Sequence, residues 1–375
     1  MNISFVPFYD HFLNNRLFKF ENIWTKHWQE GNVKLYQECM QRGYRIGTWD
    51  ELPVESADVV VFQDYPQSIE TLSQVKQRSP HARTLLMLYE TPLNNPHWFN
   101  RRNHQLFDAV LTYNPHLVDN NKYFKMYLPI GMPPQAQVEI PFEKRHPLVV
   151  LNTNRYIGLR SLPRPGQYLN HLQVLRQAGW HCTFMEFVRS TQGDLNRHRR
   201  NLARVAEKLY PNAVDIFGHG WEGRNSGWYY RLFPDPPYLL AKGSAQEDKL
   251  QLLSRYRFTI AYENFEGNVG YISEKIFDAL YAGTVPIYRG DRDISQYVWP
   301  ECFVDHRNFR NEAELLHFVM NCSKNHWQQM REAGYRYLHS EQIKLFQPEY
   351  YATCILSVIE SLFDSLACKV DTTYS

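Results

Sequence analysis

Eight short apolar runs punctuate the chain: "ADVVVFQ" (57–63), "TLLMLYE" (84–90), "AVLTY" (109–113), "PLVVLN" (147–152), "HCTFMEF" (181–187), "AVDIFG" (213–218), "RFTIAYE" (257–263) and "TVPIY" (284–288). None alternates polar with apolar residues, so each reads as a strand buried on both faces, the pattern of a sheet covered by helices on each side. Helical stretches lie between them, among them "NVKLYQECMQRGY" before the first run, "YLNHLQVLRQAGW" around 170 and "RRNLARVAEKLYP" around 205. Strand and helix in turn mark an α/β chain with parallel sheets. The segment "MPPQAQVEIPFEKRHP" (132–147), with four prolines and no period, breaks the alternation and places a boundary near 140. The expected architecture is two Rossmann-like domains, 1–140 and 141–347, facing each other across a cleft, with a terminal segment 348–375 docked on the body. That segment opens with Pro348 at a first-turn position and sets Cys354, Ile355, Val358, Ile359, Leu362 and Leu366 on one helical face. In open α/β sheets ligands sit beyond the carboxyl ends of the strands, so those ends are where chemistry is sought.

Composition removes several classes of function. The 375 residues are 43% hydrophobic and 21% charged, enough for a large core and about two domains. Forty-one Lys plus Arg against thirty-nine Asp plus Glu leave a net charge of +2, which argues against a nucleic-acid or membrane-surface binder. The six cysteines lie far apart with no C-x-x-C, which fits reduced thiols rather than a zinc site or disulfide framework. Met1 runs into "NISFVPFYDHF" without a secretory pattern, and no window reaches the ~18 apolar residues of a membrane span. The expectation is a soluble, cytoplasmic protein. Tyr, Phe and Trp number 25, 22 and 9; such rings fill cores and also serve as stacking platforms for sugars.

Polar chemistry collects at three strand ends. In "ENFEGNVGYISEKIFDALYAGTVPIYRG" (263–290) the acid–amide pair Glu263 and Asn264 precedes Tyr271 and the pair Glu274 and Lys275, which opens a helix from Glu274 to Ala282 with Gly283 as its stop. Ser273 suits the N-cap, and Glu274 in the first turn is stabilising whatever its role. Lys275 opposes the helix dipole by ~0.3 to 1 kcal/mol, a cost that a bound anion, phosphate above all, would remove; a solvated lysine pointing away fits as well. Glu263 and Asn264 fit a plain turn equally. "VVLNTNRYIGLRS" ends in a loop with Arg155 and Arg160, either a clamp for phosphate oxygens or a surface ion pair. In "TLLMLYETPLNNPHWF" Glu90 ends an apolar strand near Tyr89 and Trp98, placed for a general base or for an ordinary turn. No Walker lysine motif is present, and "GDRD" (290–293), which resembles the metal-holding acids of some sugar transferases, reads as an exposed loop.

Taken in order, "YRFTIAYENFEGNVGYISEKIFDALYAGTVPIYRG" and "PECFVDHRNF" (300–309) resemble the nucleotide-sugar-binding region of glycosyltransferase family 10, the α-1,3-fucosyltransferases. "LNTNRYIGLR", "AVDIFGHG", "YETP", "FDAVLTYNP" and "YLPIG" extend the resemblance over roughly residues 84–310, and the chain is similar to the soluble bacterial type. The resemblance implies a GT-B fold and an inverting transferase that moves L-fucose from GDP-fucose to a glycan or glycoconjugate hydroxyl, α-1,3 to an N-acetylglucosamine or glucose unit. Carried over by position, Arg160 and Lys275 contact the pyrophosphate, Glu274 accepts from the ribose, Glu263, Asn264 and Tyr271 line the nucleotide sugar, and Glu90 is the catalytic base. No metal or cofactor is required, and Mn²⁺ or Mg²⁺ would act only as stimulants. Phe265, Gly270 and a loop one residue longer than usual between Asn264 and Tyr271 depart from the family pattern. Two other readings stand beside this one: a GT-B transferase using another nucleotide sugar, and a non-catalytic glycan- or nucleotide-binding protein.

Overall fold

A computed structural model describes residues 1–20, 26–64, 69–90, 101–131, 139–154, 193–223, 236–245 and 248–370. The chain divides into two compact units, the first comprising Met1–Met132, Val269–Tyr271 and Lys344–Ser375, the second Pro133–Asn268 and Ile272–Ile343. The passage from one to the other falls at 132–133, against the 140 expected, and the terminal helix belongs to the first unit.

The first unit is built on β1 (Asn2–Val6), β2 (Arg45–Thr48), β3 (Val59–Gln63), β4 (Arg83–Leu88), β5 (Ala109–Thr112) and β6 (Tyr123–Lys125). All pairs are parallel, in the order β2-β1-β3-β4-β5-β6. The runs without alternation are explained by their two coverings. Val59, Val61, Leu85 and Met87 face a cluster with Leu35 and with Ile355 and Ile359 of the helix Pro348–Val370, while Val60, Phe62, Leu86 and Leu88 face Leu72, Val75 and Phe107. Each such side chain, taken out of water, contributes roughly 1.5 to 3 kcal/mol, which holds both helical layers on the sheet. Arg42 and Tyr44, beyond the helix Lys26–Gln41, bind Glu360 of the terminal helix (Nη1–Oε1 2.6 Å; hydroxyl to Oε1 3.1 Å) and fix its position from the rim.

The second unit repeats the plan with β7 (His146–Leu151), β8 (Val214–Phe217), β9 (Tyr256–Tyr262), β10 (Val285–Arg289) and β11 (Val304–Asp305). Its parallel order is β11-β10-β9-β7-β8. Leu202, Ala203 and Ala206 of the helix Asn196–Leu209 pack with Leu148, Val150, Phe258, Ile260 and Ile287 on one face; Leu252, Leu253 and Ala282 cover Val149 on the other. Buried Arg145 ties the start of β7 to the starts of the neighbouring strands by donating to the carbonyls of Tyr256 (3.2 Å), which opens β9, and Gly283 (2.8 Å), just before β10. In each unit the strand order reverses once, at β1/β3 and at β7/β9 among the described strands, and the strand ends beside such a reversal form the ligand crevice of doubly wound sheets.

The expected runs at 181–187 and around 170 lie outside the described residues, as does most of the proline-rich segment. β1, β2, β6 and β11 were not foreseen. Among the described residues no helix is long and apolar enough to cross a membrane, and Cys39, Cys302, Cys322 and Cys354 are free thiols.

Candidate active site

At the carboxyl end of β9 the chain emerges as Glu263, which is fully buried. Gly290 makes room for it: a Cβ there would lie 2.6 Å from the Glu263 Cγ. Its carboxylate is saturated locally. Oε1 accepts from the Ser273 amide at 2.8 Å, Oε2 accepts from the Ser273 hydroxyl at 2.7 Å, and the Lys275 ammonium stands 3.5 Å from Oε2. Burial raises the Glu263 pKa above the ordinary carboxylate range, against the opposing pull of Lys275 and Ser273. Ser273 occupies the N-cap of the helix Glu274–Tyr281 as expected, with extended backbone, yet its hydroxyl makes no capping bond. It is taken by Glu263 and in turn accepts from Lys275 at 2.9 Å. The sequence therefore spends its capping side chain on holding a lysine at the helix entrance, where backbone amides and the dipole already favour an anion.

Lys275 is mostly covered, its side chain 19% exposed, and lies 3.7 Å from Glu274, whose more open carboxylate is 3.9 Å from Lys249. Lys249 also pairs with Asp278 one turn on. Asn264 passes its carbonyl to the Leu195 amide (3.2 Å), and Phe265 pairs with Asp194 as an isolated antiparallel bridge. The Phe265 ring is buried against Gly193, where an added Cβ would come within 2.2 Å of it, so this departure from the family pattern serves packing. Arg199 was missed in the sequence. It is buried, donates to the carbonyls of Tyr262 and Glu263 (2.9 Å to the latter), and burial pulls its pKa down to about 10. Its signal was present: Arg199 shares a helical face with Leu202, Ala203 and Ala206, and a charged residue inside an apolar stripe marks a buried partner.

In the first unit Glu90 follows β4 by two residues and is half-buried. Its amide donates to Asp64 Oδ2 (2.8 Å), the Tyr89 amide to Asp64 Oδ1 (3.1 Å), and the Tyr113 hydroxyl to the Glu90 carbonyl (3.4 Å). The Tyr9 hydroxyl donates to Oε1 at 3.3 Å. Asp64 was missed because the apolar run stops one residue short of it; it is 2% exposed, has a left-handed φ of 68°, and its pKa is pushed well up by burial and then by Glu90. Tyr89, the neighbour of Glu90, turns its ring into the core against Tyr351 (6.1 Å); Trp98 lies outside the described residues.

Of the residues singled out in the sequence, Glu263, Glu274 and Lys275 come together around Ser273, with Asn264 adjoining. Tyr271 does not join them. Its ring is buried in the first unit's core, edge-on to Tyr113 at 5.1 Å. Gly270 beside it has φ 79°, and a Cβ would lie 2.2 Å from the Tyr113 carbonyl, so no side chain fits there and this departure too has a steric cause. Arg155 and Arg160 lie outside the described residues. "GDRD" is not simply an exposed loop: Asp291 is buried, and its Oδ1 accepts from the Asp293 amide at 3.1 Å.

Residues 187–352 match the family model described as glycosyltransferase family 10 (fucosyltransferase), C-terminal part. This stretch is therefore similar to the C-terminal part of the family 10 glycosyltransferases. A curated relative, the α-(1,3)-fucosyltransferase FucT of Helicobacter pylori, is 36% identical over 73 residues, which is 20% of this chain and 15% of that protein. The match thus spans only a small part of that relative's length. A crystal structure of an α1,3-fucosyltransferase superposes with a TM-score of 0.55 at 17% identity, covering 96% of this chain and 90% of that one. Another, of an α1,3-fucosyltransferase with GDP, gives 0.52 at 16% identity over the same shares, 96% and 90%. The fold is GT-B, with one parallel sheet in each of the two units.

Proposed function

We propose that the chain is an inverting fucosyltransferase that moves L-fucose from GDP-fucose to a hydroxyl of a glycan or glycoconjugate, in α-1,3 linkage to an N-acetylglucosamine or glucose unit. The observation that carries this reading is the Glu263–Ser273–Lys275 cluster at the entrance of the helix Glu274–Tyr281, inside the stretch that matches the family 10 model. A cation fixed by a buried carboxylate at the entrance of a helix suits a diphosphate. In the reaction, a Glu90 oxygen takes the proton of the acceptor hydroxyl as that oxygen attacks the fucose anomeric carbon. The bond from that carbon to the diphosphate oxygen breaks, and GDP departs with the electron pair. Lys275 and the helix amides stabilise the charge that grows on the leaving phosphate, with Arg160 joining them on its motif, and Glu274 accepts from the ribose. Asn264, and Tyr271 on the family pattern alone, complete the donor assignment. Fixed cations take the place of a metal, so no metal is required.

The test is a panel of GDP-fucose, other GDP-sugars, UDP-sugars and CMP-sugars against a glycan array, reading nucleotide release and transfer with and without chelator. Transfer from GDP-fucose that persists in chelator supports the reading. Preference for a UDP-sugar, or activity abolished by chelator and restored by Mn²⁺ or Mg²⁺, overturns the donor or the metal-free part respectively.

A further inference from the structure

Directly beyond β1 the sequence reads "PFYDHF" (7–12), four rings in five positions, counting the imidazole. β1 flanks the reversal of strand order in the first sheet, so this segment begins at a carboxyl strand end of the crevice type. The rings form one connected stack. Phe12 is buried in the core and anchors His11 (centroids 3.9 Å); His11 lies nearly parallel to Tyr9 (5.5 Å, 24°), and Phe8 meets Tyr9 edge-on (4.7 Å, 85°). Tyr9 is nonetheless 41% exposed, and its hydroxyl is the one that donates to Glu90 Oε1 at 3.3 Å. An aromatic ring held rigid by three neighbours, open on its surface and touching the carboxylate assigned as base, has the make-up of a ligand platform with an apolar body and a polar tip.

We propose that Tyr9, backed by His11, is the shelf on which a neutral hexopyranose ring of the acceptor glycan stacks, so that the reacting hydroxyl is delivered to Glu90. The sugar's C–H face lies on the Tyr9 ring, and the Tyr9 hydroxyl keeps the Glu90 carboxylate turned toward that ring. The Tyr9 ring carries no charge to select an ionic sugar, and the Glu90 carboxylate at its hydroxyl would repel an acidic one, which is why the occupant is a neutral one. This inference rests on the reading of Glu90 as the base.

The test uses the full chain with GDP-fucose and four neutral disaccharides: lactose, N-acetyllactosamine, lacto-N-biose and diacetylchitobiose. Tyr9→Ala, Tyr9→Phe and His11→Ala are compared with the unmodified chain for glycan KM, kcat and GDP affinity, the last as a check of folding. Tyr9→Ala is expected to raise the glycan KM by about tenfold with GDP affinity unchanged, because the stacking face is lost. Tyr9→Phe keeps the face, so its KM stays near that of the unmodified chain while kcat drops. An unchanged KM in Tyr9→Ala, an equal rise in Tyr9→Phe, or no saturation of the unmodified chain by any of the four disaccharides overturns the shelf. If Tyr9→Ala loses GDP binding, His11→Ala decides in its place: a raised glycan KM supports the shelf and an unchanged one overturns it. Glu90→Gln run in parallel separates the two ideas, since near-native turnover there defeats the base assignment while the KM data still judge the shelf.

Discussion

Glu90 and Glu263 hold equivalent places, each just beyond a buried parallel strand, yet their surroundings differ in kind. Glu263 is sealed, with both oxygens engaged by Ser273 and Lys275 and with Arg199 on its backbone carbonyl. Glu90 is half-buried, held through its main chain by Asp64 and Tyr113, and its carboxylate meets the hydroxyl of an exposed ring. A sealed carboxylate whose oxygens are spent on neighbours positions those neighbours; one that is half-buried and fixed by its backbone can be reached by a substrate hydroxyl. On this contrast we propose that Glu263 sets the lysine of the donor end and that Glu90 does the proton transfer.

The largest effect that could break the contrast is on turnover. Glu90→Gln keeps shape and the Asp64 contacts to the main chain, and is expected to lower kcat by about 10²- to 10⁴-fold, the usual loss of a general base. Steady-state kinetics on a variant with native melting behaviour checks it, and near-native turnover would move the base elsewhere.

The dryness of the second unit's strand ends predicts a pH dependence. His306, beyond β11, is bonded to the Tyr262 hydroxyl at 2.6 Å, and burial, with Arg289 adding to it and Glu312 opposing, lowers its pKa from 6.5 to about 4. Between those values the unfolded chain binds the proton and the folded one does not, so the stability due to neutral His306 is present above 6.5 and lost as pH falls toward 4. Relative to His306→Asn, the native chain should therefore lose on the order of 3 kcal/mol across that window, measured by denaturant unfolding at a series of pH values. A constant difference from pH 7 to pH 4 would mean that these strand ends are wetter than described.

Smaller still is the effect expected of Glu263→Gln. The amide presents a donor where Ser273 needs an acceptor, but it also sheds the burial cost that raises the Glu263 pKa, so the net loss should be about 1 to 2 kcal/mol of stability. Thermal unfolding reads it. GDP binding should weaken with it as Lys275 loses its hold, whereas Glu90→Gln should leave stability alone; the reverse pairing would exchange the roles of the two acids.

Much of this was legible in the sequence because burial on two faces leaves unbroken apolar runs, and seven of the eight runs fall in described segments as strands. β2 carries a charge and a glycine in four residues, and β6 is half-buried, so neither has the composition of a buried strand. The Glu274–Lys275 helix entrance was readable from local chemistry. What Ser273 and Tyr271 do was not, since Glu263 lies ten residues from Ser273 and Tyr113 far from Tyr271 in the chain. What Asp64 and Arg199 hold was hidden for the same reason: their partners, Glu90 and Glu263, are 26 and 64 residues away.

The division of labour is tested most directly by titrating GDP, in chelator, into the unmodified chain, Glu90→Gln and Lys275→Ala by calorimetry. The charge-assisted contact proposed between Lys275 and phosphate would be worth roughly 1.5 to 3 kcal/mol, so Lys275→Ala should bind GDP about ten- to more than a hundredfold more weakly, with Glu90→Gln indistinguishable from the unmodified chain. Equal GDP affinity in all three proteins, or a loss confined to Glu90→Gln, would contradict it.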